Sequence, residues 1–484
     1  MWQQADEANG GARGGFLFDL AALVVLAAVY RLAFLLAMPR VVDTADAVHY
    51  LEAARHLAAG EFLSINPKIP VLYPALGAAA HAFIGSLEWA CRGVSFLASA
   101  LVVIPLYLLG RDLHGRAAAQ LAGVIAALWP WLADYGCRVS TEATAALCWV
   151  AGVWLAARAV RHGGLWCWLA PWPMLALYLT RPEGLFIAVA APAAALIFLP
   201  AGERKTPLRR LLPCLGVLGV GILLATLYTR GLTGTVTPNY RTGFILEEFE
   251  VLRFADTAMK TVHEVFPIML GPVLFLFLGA GLFMRNSGRD ARLELFVLSM
   301  AAAQWFISLF VLSPAPRYLM APLLMLTLWS ARGMVLVARR ATALPYGRWL
   351  RPLPVLAIIA SMLLSAAATL SAEHLGRRPR EPREYKAAGL WMREHLEPGL
   401  VFTRKPQLAY YANMPSTGPA QNDSLSDALE RARAAGARYF VVDERYAPAA
   451  LRPLLDPDNA PAQLRLLRVF DHVPAAKVVV YAVE

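Results

Sequence analysis

The sequence predicts a polytopic α-helical membrane protein with about eleven transmembrane helices and a small α/β domain after them. Of its 484 residues, 58% are hydrophobic and only 16% are charged, whereas soluble domains are usually about one quarter charged. The mean hydropathy is +0.50. The apolar residues fall into blocks of roughly 17 to 23 residues, the length that a helix needs to cross a hydrocarbon core about 30 Å thick.

The candidate spans follow from these apolar blocks. They run near 16–38, 91–110, 117–134, 143–160, 165–180, 185–200, 211–229, 266–284, 293–312, 318–338 and 352–371. The first block has no small-residue cleavage pattern and is longer than the core of a signal peptide, so we expect it to stay in the membrane. Residues 180–184 interrupt one apolar run with a proline, a glycine and two charges, which favours a tight turn between two short helices.

The basic residues predict an orientation. Five short connections on one side, with the adjoining span ends, carry fifteen lysines and arginines, whereas the short connections on the other side carry Arg138, Arg181 and Arg317. Cytoplasmic loops are enriched in basic residues, so the richer side and the N-terminus are predicted to be cytoplasmic. An odd number of spans then makes the C-terminal region extracytoplasmic. We attribute the net charge of +11 to this loop bias and expect no nucleic-acid partner.

Two domains are predicted. Residues 1–371 form the transmembrane domain, whose first outer connection is 39–90, and residues 372–484 form an extracytoplasmic α/β domain. In the latter we expect helices at 384–396 and 425–435 and strands at 401–403, 439–442 and 477–483. The five cysteines lie in or beside the spans without metal-ligand spacing, so neither a zinc site nor a disulfide framework is predicted.

The first outer connection carries the side chains best suited to chemistry. Asp46, His49 and Tyr50 share one face of an amphipathic helix because of their i, i+3 and i+4 spacing. In one interpretation Asp43 is the N-cap and Asp46 is a first-turn acid favoured by the helix dipole. In the other, Asp46 marks a functional site, because an acid near an apolar boundary is costly. The residues alone leave both open.

Other charged positions also have two interpretations. Lys68, among prolines, is either an interfacial side chain that reaches the headgroups or a cation for a lipid phosphate. Glu142, at the outer end of a span, either pairs with Arg138 or has a catalytic role. Arg181 and Glu183 flank a tight turn and are interpreted as structural.

Two further features carry less weight. Arg241, in the connection 230–265, either meets a donor phosphate or is solvated. His49 and His56 lie on one helix face, but no third ligand is evident, so we predict no metal site.

Several of these residues resemble one family of membrane enzymes. Asp46-Ala47-Val48-His49-Tyr50, with Gly60, Lys68 and Tyr73, is similar to the first outer loop of the GT-C glycosyltransferases. The resemblance is to the protein O-mannosyltransferases and to the bacterial transferases that add aminoarabinose to lipid A. Similar motifs at 110–115, 141–142, 317–318, 409–412 and 439–443 extend it over most of the chain.

The resemblance implies a GT-C-like fold in a bacterial inner membrane. It implies transfer of a sugar from a polyprenyl-phosphate-linked donor to an extracytoplasmic acceptor, which is a glycolipid, a glycan or a protein. Asp46 would be the general base that deprotonates the acceptor hydroxyl, Lys68 would bind the donor phosphate, and Arg317 would supply a second phosphate contact. The secondary candidates are Tyr50, Tyr73, Glu142 and Arg241. No cofactor or metal is expected.

Two departures and two competing functions qualify this hypothesis. Relatives often carry acids where this chain has Ala47 and Pro67, which weakens any inference of a metal or of one acceptor.

A secondary transporter or lipid flippase is the main alternative, and a non-catalytic assembly protein is another. Transporters usually show repeated halves and mid-span ionisable residues, whereas this sequence has no internal repeat and keeps most charges at span ends.

The orientation can be tested directly. We expect a periplasm-dependent reporter, such as alkaline phosphatase, to be active when it is fused after Glu484, because the basic-residue bias puts that end outside. A fluorescent reporter that folds only in the cytoplasm serves as the control. Activity of the cytoplasmic reporter at this position would contradict the topology.

Overall fold

The computed structural model divides the chain into two compact units, each described by itself. It describes residues 12–38, 40–67, 69–181, 184–198, 205–233, 251–284, 291–309, 316–341, 352–374, 382–420, 422–471 and 476–484. The helical unit comprises Met1–Leu36 and Ala53–Ala367, and the sheet unit comprises Ala37–Glu52 and Ala368–Glu484. The segment 37–52, which begins the predicted first outer connection, therefore groups with the C-terminal residues.

Helices predominate in the described part of the helical unit. They are α1 (Ala12–Ala37), α2 (Ala45–Ala58, which begins in the sheet unit), α3 (Leu72–Ile84), α4 (Leu87–Leu101), α5 (Val103–His114), α6 (Arg116–Leu128), α7 (Pro130–Gly136), α8 (Glu142–His162), α9 (Leu165–Leu169), α10 (Pro171–Thr180), α11 (Gly184–Phe198), α12 (Lys205–Thr233), α13 (Val251–Lys260), a π-helical turn (Thr261–Val265), α14 (Phe266–Leu270), α15 (Pro272–Phe283), α16 (Ala291–Leu309), α17 (Pro316–Ala341) and α18 (Leu353–His374).

Within the described residues each predicted span coincides with one helix or with two consecutive helices, but the count of eleven is not confirmed. Among the described residues, six helices are long and apolar enough to cross a membrane, or up to eight if each of two bent pairs is one span. The helices near 165–180 and 185–200 are shorter than that within the described residues, and near 352–371 only Ile358–Ala367 is counted, as a shorter apolar helix. The first of them is shorter because α9 and α10 divide it.

Each bent pair of helices is interrupted at the residue that precedes a proline. Trp129 is extended, with ψ of 114°, before Pro130, because a residue before proline disfavours the helical conformation. Gly271 has a φ of 80° before Pro272. The bends are 52° at the first break and 112° at the second. The Trp129 indole donates to the Met269 carbonyl at 2.7 Å, so the two breaks are bonded to each other.

A buried arginine donates hydrogen bonds to the carbonyl groups at the end of α6. Arg31 is fully buried and donates to the Ala127 carbonyl at 2.6 Å and to the Ala126 carbonyl at 3.1 Å. Its Nε also donates to the Ser99 hydroxyl at 2.9 Å. The last carbonyls of a helix lack intrahelical partners, and lipid offers none. Arg31 therefore stabilises the break before Pro130 from a neighbouring helix.

The sheet unit contains a five-stranded mixed sheet in the order β2-β1-β3-β5-β4. β1, β2 and β3 are parallel, and β5 pairs antiparallel with both β3 and β4. The elements are α19 (Arg383–His395), β1 (Val401–Phe402), α20 (Gln407–Ala412), β2 (Ser416–Thr417), α21 (Leu425–Ala434), β3 (Tyr439–Asp443), two 3₁₀ turns (Ala449–Leu455 and Pro457–Asn459), β4 (Leu464–Phe470) and β5 (Val478–Val483).

The sheet is covered on both faces. Phe440 and Val442 of β3 pack in one cluster with α21, while Tyr439 and Val441 pack in a second cluster with α19 and α20. Successive strand residues point to opposite faces, so β3 is buried at every position. The helices and strands expected from the sequence in this region are observed within two residues of their expected ends.

Glycines permit a close helix crossing in the helical unit. A Cβ on Gly281 of α15 would overlap the Trp329 carbonyl of α17, and one on Gly333 of α17 would overlap the Phe277 carbonyl. Small residues allow helix backbones to approach closely in membranes. Backbone atoms cannot move aside as a flexible side chain can, so this crossing depends on glycine.

We expect Gly281→Ala to lower the melting temperature in detergent, because the added methyl group meets backbone. Overpacking typically costs about 1–3 kcal/mol. Gly279→Ala is the matched control on the same helix, since among the described residues no atom lies within 4 Å of a Cβ at Gly279. Equal melting temperatures for the two variants would show that the crossing does not require glycine.

Candidate functional site

A pocket in the helical unit brings together candidate residues from four helices. It encloses about 350 Å³, part of it open to solvent. Its lining is Glu142, Ala145, Ala146, Trp149, Leu177, Arg181, Gln304, Arg317, Tyr318, Met320 and Ala321. These residues come from α8, α16 and α17 and from the end of α10. Two of the sequence candidates, Glu142 and Arg317, are therefore neighbours.

Two guanidinium groups lie against one tyrosine ring. The Cζ atom of Arg181 is 5.2 Å from the centroid of Tyr318, and that of Arg317 is 4.8 Å from it. Arg317 also donates from Nη2 to the Tyr318 hydroxyl at 2.8 Å. The face of an aromatic ring attracts cations, so the ring helps to hold two like charges in one pocket.

One carboxylate pairs with this cationic group. Arg181 Nη1 lies 3.5 Å from Glu142 Oε1, and the two side chains are 14% and 8% exposed. The interpretation that Glu142 pairs with Arg138 is wrong. Arg138 pairs instead with Asp134 at 2.8 Å, one helical turn before it. Two arginines and one glutamate line the pocket, so these three side chains carry a net positive charge.

Buried hydrogen bonds fix the backbone around the pocket. The Ser308 hydroxyl lies 2.9 Å from the Tyr318 carbonyl, to which it donates. The fully buried Tyr73 accepts from the Ser140 amide at 3.0 Å through its hydroxyl. That hydroxyl is also 2.9 Å from the Cys91 carbonyl. Tyr73 thus ties α3 and α4 to the turn before α8, two residues from Glu142.

Asp46 lies in the sheet unit, in the first turn of α2. The Thr44 hydroxyl accepts from the Ala47 amide at 3.1 Å. The N-cap is therefore Thr44, and the expectation that Asp43 caps this helix is wrong, because the hydroxyl three residues before Ala47 makes the capping bond. Asp46 is exposed, whereas Ala47 and Val48 are fully buried. The helix is thus packed at Ala47 and Val48 and presents the carboxylate of Asp46 on its exposed face.

The neighbouring histidine is coupled to an acid. His49 Nδ1 lies 3.3 Å from Glu52 Oε2. The hydrogen bond to Glu52 raises the pKa of His49 above its ordinary value against the opposing effect of partial burial, and the charge of Asp46 acts in the same direction as Glu52. Tyr50, the other candidate on this helix, is partly buried.

Two candidates, Lys68 and Arg241, lie outside the described residues. Within the described residues, no group of three or more histidine, cysteine, aspartate or glutamate side chains is arranged to hold a metal ion. The five cysteines are free thiols.

Arg181 is the pocket residue that the sequence analysis missed. The sequence predicts only a structural role for it in a tight turn, yet its guanidinium lines the pocket beside Glu142 and Tyr318. One signal in the sequence favoured it. Arg181 and Arg317 are two of the three arginines in the short connections on the predicted outer side, where basic residues are sparse.

The pKa of His49 provides a test of the helix that carries Asp46. We expect Glu52→Gln to lower the pKa of His49, because the largest cause of its elevation is removed. Proton NMR of protein with labelled imidazoles would give the midpoint. Glu61→Gln is the control, since Glu61 pairs with His56 instead. An unchanged midpoint in Glu52→Gln would contradict the coupling.

Comparison with known proteins shows which family and which solved structures this chain resembles. Residues 68–228 match the family described as dolichyl-phosphate-mannose-protein mannosyltransferase. No curated protein sequence matches the chain. Among solved structures, the archaeal oligosaccharyltransferase AglB from Archaeoglobus fulgidus, in complex with an inhibitory peptide and a dolichol-phosphate, superimposes with a TM-score of 0.63 at 15% identity. The match covers 88% of this chain and 69% of that one.

A second group of solved structures matches over nearly the full length of both chains. ArnT from Cupriavidus metallidurans in the apo state has a TM-score of 0.60 at 16% identity over 98% of each chain. Its complex with undecaprenyl phosphate has the same TM-score at 15% identity, over 97% of this chain and 98% of that one. At these identities the likeness establishes the fold. The chain is an integral membrane protein of the GT-C fold, and its residues 68–228 match the family described as dolichyl-phosphate-mannose-protein mannosyltransferase.

Proposed function

We propose that this protein is a glycosyltransferase. It moves a sugar from a polyprenyl-phosphate donor to an extracytoplasmic acceptor that is a glycolipid, a glycan or a protein. The observation that carries the proposal is the pair Arg181 and Arg317 around Tyr318 in a pocket with a net positive charge. The GT-C fold supports it, as do the dolichol-phosphate and the undecaprenyl phosphate in two structures of similar proteins.

The chemistry of the donor fits such a pocket. When the glycosidic bond breaks, negative charge grows on the lipid phosphate that leaves. Guanidinium groups match phosphate oxygens in bidentate geometry. Fixed cations in a site that excludes water stabilise developing charge far more than they do in water. Glu142 orients Arg181 through their contact, while Arg317 is held through the Tyr318 hydroxyl. We retain Lys68 as a further donor-phosphate ligand and Arg241 as a secondary candidate.

Asp46 is the proposed general base. An exposed carboxylate on a helix that is packed on its other face can accept the proton of an acceptor hydroxyl without a large rearrangement. The hydroxyl oxygen then bonds to the anomeric carbon, and the polyprenyl phosphate leaves with the bonding electrons. Tyr50, one turn along the same helix, is a secondary candidate for contact with the acceptor. Tyr73 is proposed to act through the position of Glu142.

We infer that the chain crosses a bacterial inner membrane eleven times, with a cytoplasmic N-terminus and residues 372–484 outside. The strong asymmetry of basic residues between alternate connections supports this topology. With this orientation, Asp46, Lys68, Glu142, Arg181 and Arg317 all belong to outer connections or to the outer ends of spans. The reaction would then take place at the outer face.

A lipid transporter or flippase is the second candidate function. The 112° bend at Gly271 favours it, because broken helices form the binding sites of many transporters. Mass spectrometry of envelope glycolipids and glycans from cells with and without the gene separates the two functions. Loss of a sugar modification in the deletion strain would support the enzyme. So would transfer of the sugar in vesicles that contain the purified protein and a polyprenyl-phosphate sugar. Restored lipid movement without transfer would support transport.

Asp46→Asn is expected to reduce sugar transfer by about 10²–10⁴-fold, the usual contribution of a general base. Donor binding should remain, because the amide removes only proton acceptance. Transfer of labelled sugar and direct binding of donor lipid would be measured side by side. Glu61→Gln, which removes an exposed acid outside the proposed site, is the control. Activity within a few-fold of wild type would show that Asp46 is not the general base and is only a first-turn acid favoured by the helix dipole.

Arg317→Gln is expected to raise the KM for the donor at least tenfold and also to lower kcat, because a phosphate contact exists before and during bond cleavage. Lys68→Ala should behave in the same way, with incomplete recovery in Lys68→Arg. Arg209→Gln removes the same charge at an exposed position outside the pocket and should have no effect. If neither the Arg317 nor the Lys68 variant changes donor binding, the assignment of the phosphate site fails.

A further inference from the structure

The sheet unit holds the segment that leads into α2 by its backbone. The Val42 amide donates to the Tyr411 hydroxyl at 2.6 Å, and Gln407 Nε2 donates to the Asp43 carbonyl at 3.1 Å. Both partners lie on α20, more than 360 residues along the chain from the segment. Val42 is 1% exposed and Gln407 is 2% exposed, so the bond at Val42 is buried and the bond at Asp43 is partly buried.

A third contact reinforces the arrangement. Lys386 Nζ donates to the Arg40 carbonyl at 2.6 Å and lies 5.2 Å from the ring centroid of Tyr411. The three bonds together restrain four consecutive residues, 40–43. All of the acceptors and donors in the segment are main-chain atoms, so the contacts set where the chain runs and in which register.

We call the three hydrogen bonds to residues 40–43 the clamp. Gln407 indicates that the clamp does more than bury side chains. Among the described residues its Oε1 atom has no hydrogen-bond partner, although the side chain is almost fully buried. An unsatisfied buried oxygen costs stability, which an apolar side chain of the same size would avoid. The bond from its Nε2 to Asp43 is the interaction that an apolar side chain could not make.

The clamp lies directly beside the proposed base. Asp43 is held by Gln407, the next residue caps α2 through its hydroxyl, and Asp46 follows in the first turn. Ala47 and Val48 are fully buried. The backbone of Asp46 is thus restrained on both sides, and a misplacement of about 1 Å in a reacting group can reduce the rate about 10²-fold.

We propose that Tyr411 and Gln407 are positioning residues for Asp46, so that the sheet unit sets the orientation of the base. This inference rests on the proposed function, because it assigns a role relative to the base of that reaction. It gives the sheet unit a part in the chemical step, although none of its C-terminal side chains needs to touch the substrate.

The test compares two tyrosines that each lose one hydroxyl. Tyr411→Phe removes the bond to Val42. Tyr439→Phe is the control, because its hydroxyl also bonds a main-chain atom in the sheet unit, donating to the Glu397 carbonyl at 2.7 Å. Hydrogen exchange measured by mass spectrometry should rise in peptides covering 40–52 only in Tyr411→Phe. Its kcat should fall at least tenfold with an unchanged KM for the donor, and Tyr439→Phe should keep its kcat.

A double-mutant cycle separates positioning from general destabilisation. If Tyr411 acts through Asp46, Tyr411→Phe should cause no further loss of the residual activity of Asp46→Asn. If the remaining bonds hold the segment in Tyr411→Phe, the double variant Tyr411→Phe/Gln407→Met should show the full effect.

Three outcomes would overturn the inference. They are full activity of that double variant, equal losses in Tyr411→Phe and Tyr439→Phe, and an undiminished loss in the Asp46→Asn background. Failure of the proposed function looks different, because wild-type protein would then transfer no sugar from any polyprenyl-phosphate donor. The positioning role would fall with it, while the exchange data would still report the clamp.

Discussion

A membrane offers no water to unpaired polar groups, and the helical unit is organised by that constraint. Wherever a helix breaks inside it, the freed carbonyls need donors from elsewhere in the protein. Arg31 supplies them at the end of α6, and Arg332 donates to the Met284 carbonyl, at 3.1 Å, just after α15. Arg332 also lies 3.3 Å from the carboxylate of Glu294, which is 2% exposed. Charges within the spans thus stabilise helix ends and each other.

The pocket at Tyr318 differs from these structural sites in its charge balance. Arg332 has a buried carboxylate beside it, and Arg31 donates to four oxygen acceptors. In the pocket, two arginines share the face of one ring and a single lining glutamate. A net positive charge enclosed by low-dielectric walls attracts an anion strongly. The side chains that line this pocket therefore support the proposed binding of an anionic donor.

The two units divide the proposed chemistry between them. The cationic pocket belongs to the helical unit, while Asp46 belongs to the sheet unit through the segment 37–52. Within the sheet unit, that segment is bonded to α20 across more than 360 residues of sequence. A C-terminal region without catalytic motifs is therefore bonded directly to the segment that carries the proposed base.

The sequence by itself determined the features that depend on local composition. Apolar length predicted helical structure at each span, and the aromatic and β-branched residues at 439–442 predicted a strand that the structure shows at Tyr439–Asp443. Local rules were less decisive between neighbours, as with Asp43 and Thr44, which are both good N-caps and lie one residue apart. The number of crossings was also undecided, because the breaks before Pro130 and Pro272 bend their helices by amounts that composition does not encode.

Only the tertiary structure decided which side chains meet. Arg181, Glu142 and Tyr318 come from three helices whose spacing depends on how helices cross, and one such crossing in this unit requires glycine at Gly281 and Gly333. The bonds of Tyr411 and Gln407 to the segment before α2 likewise join main-chain atoms that leave no mark in the sequence pattern. Hydropathy and spacing indicate whether each residue lies in an apolar or a polar environment. Which partners converge is set by packing between distant elements, since contacts of that kind are specified by the whole chain together.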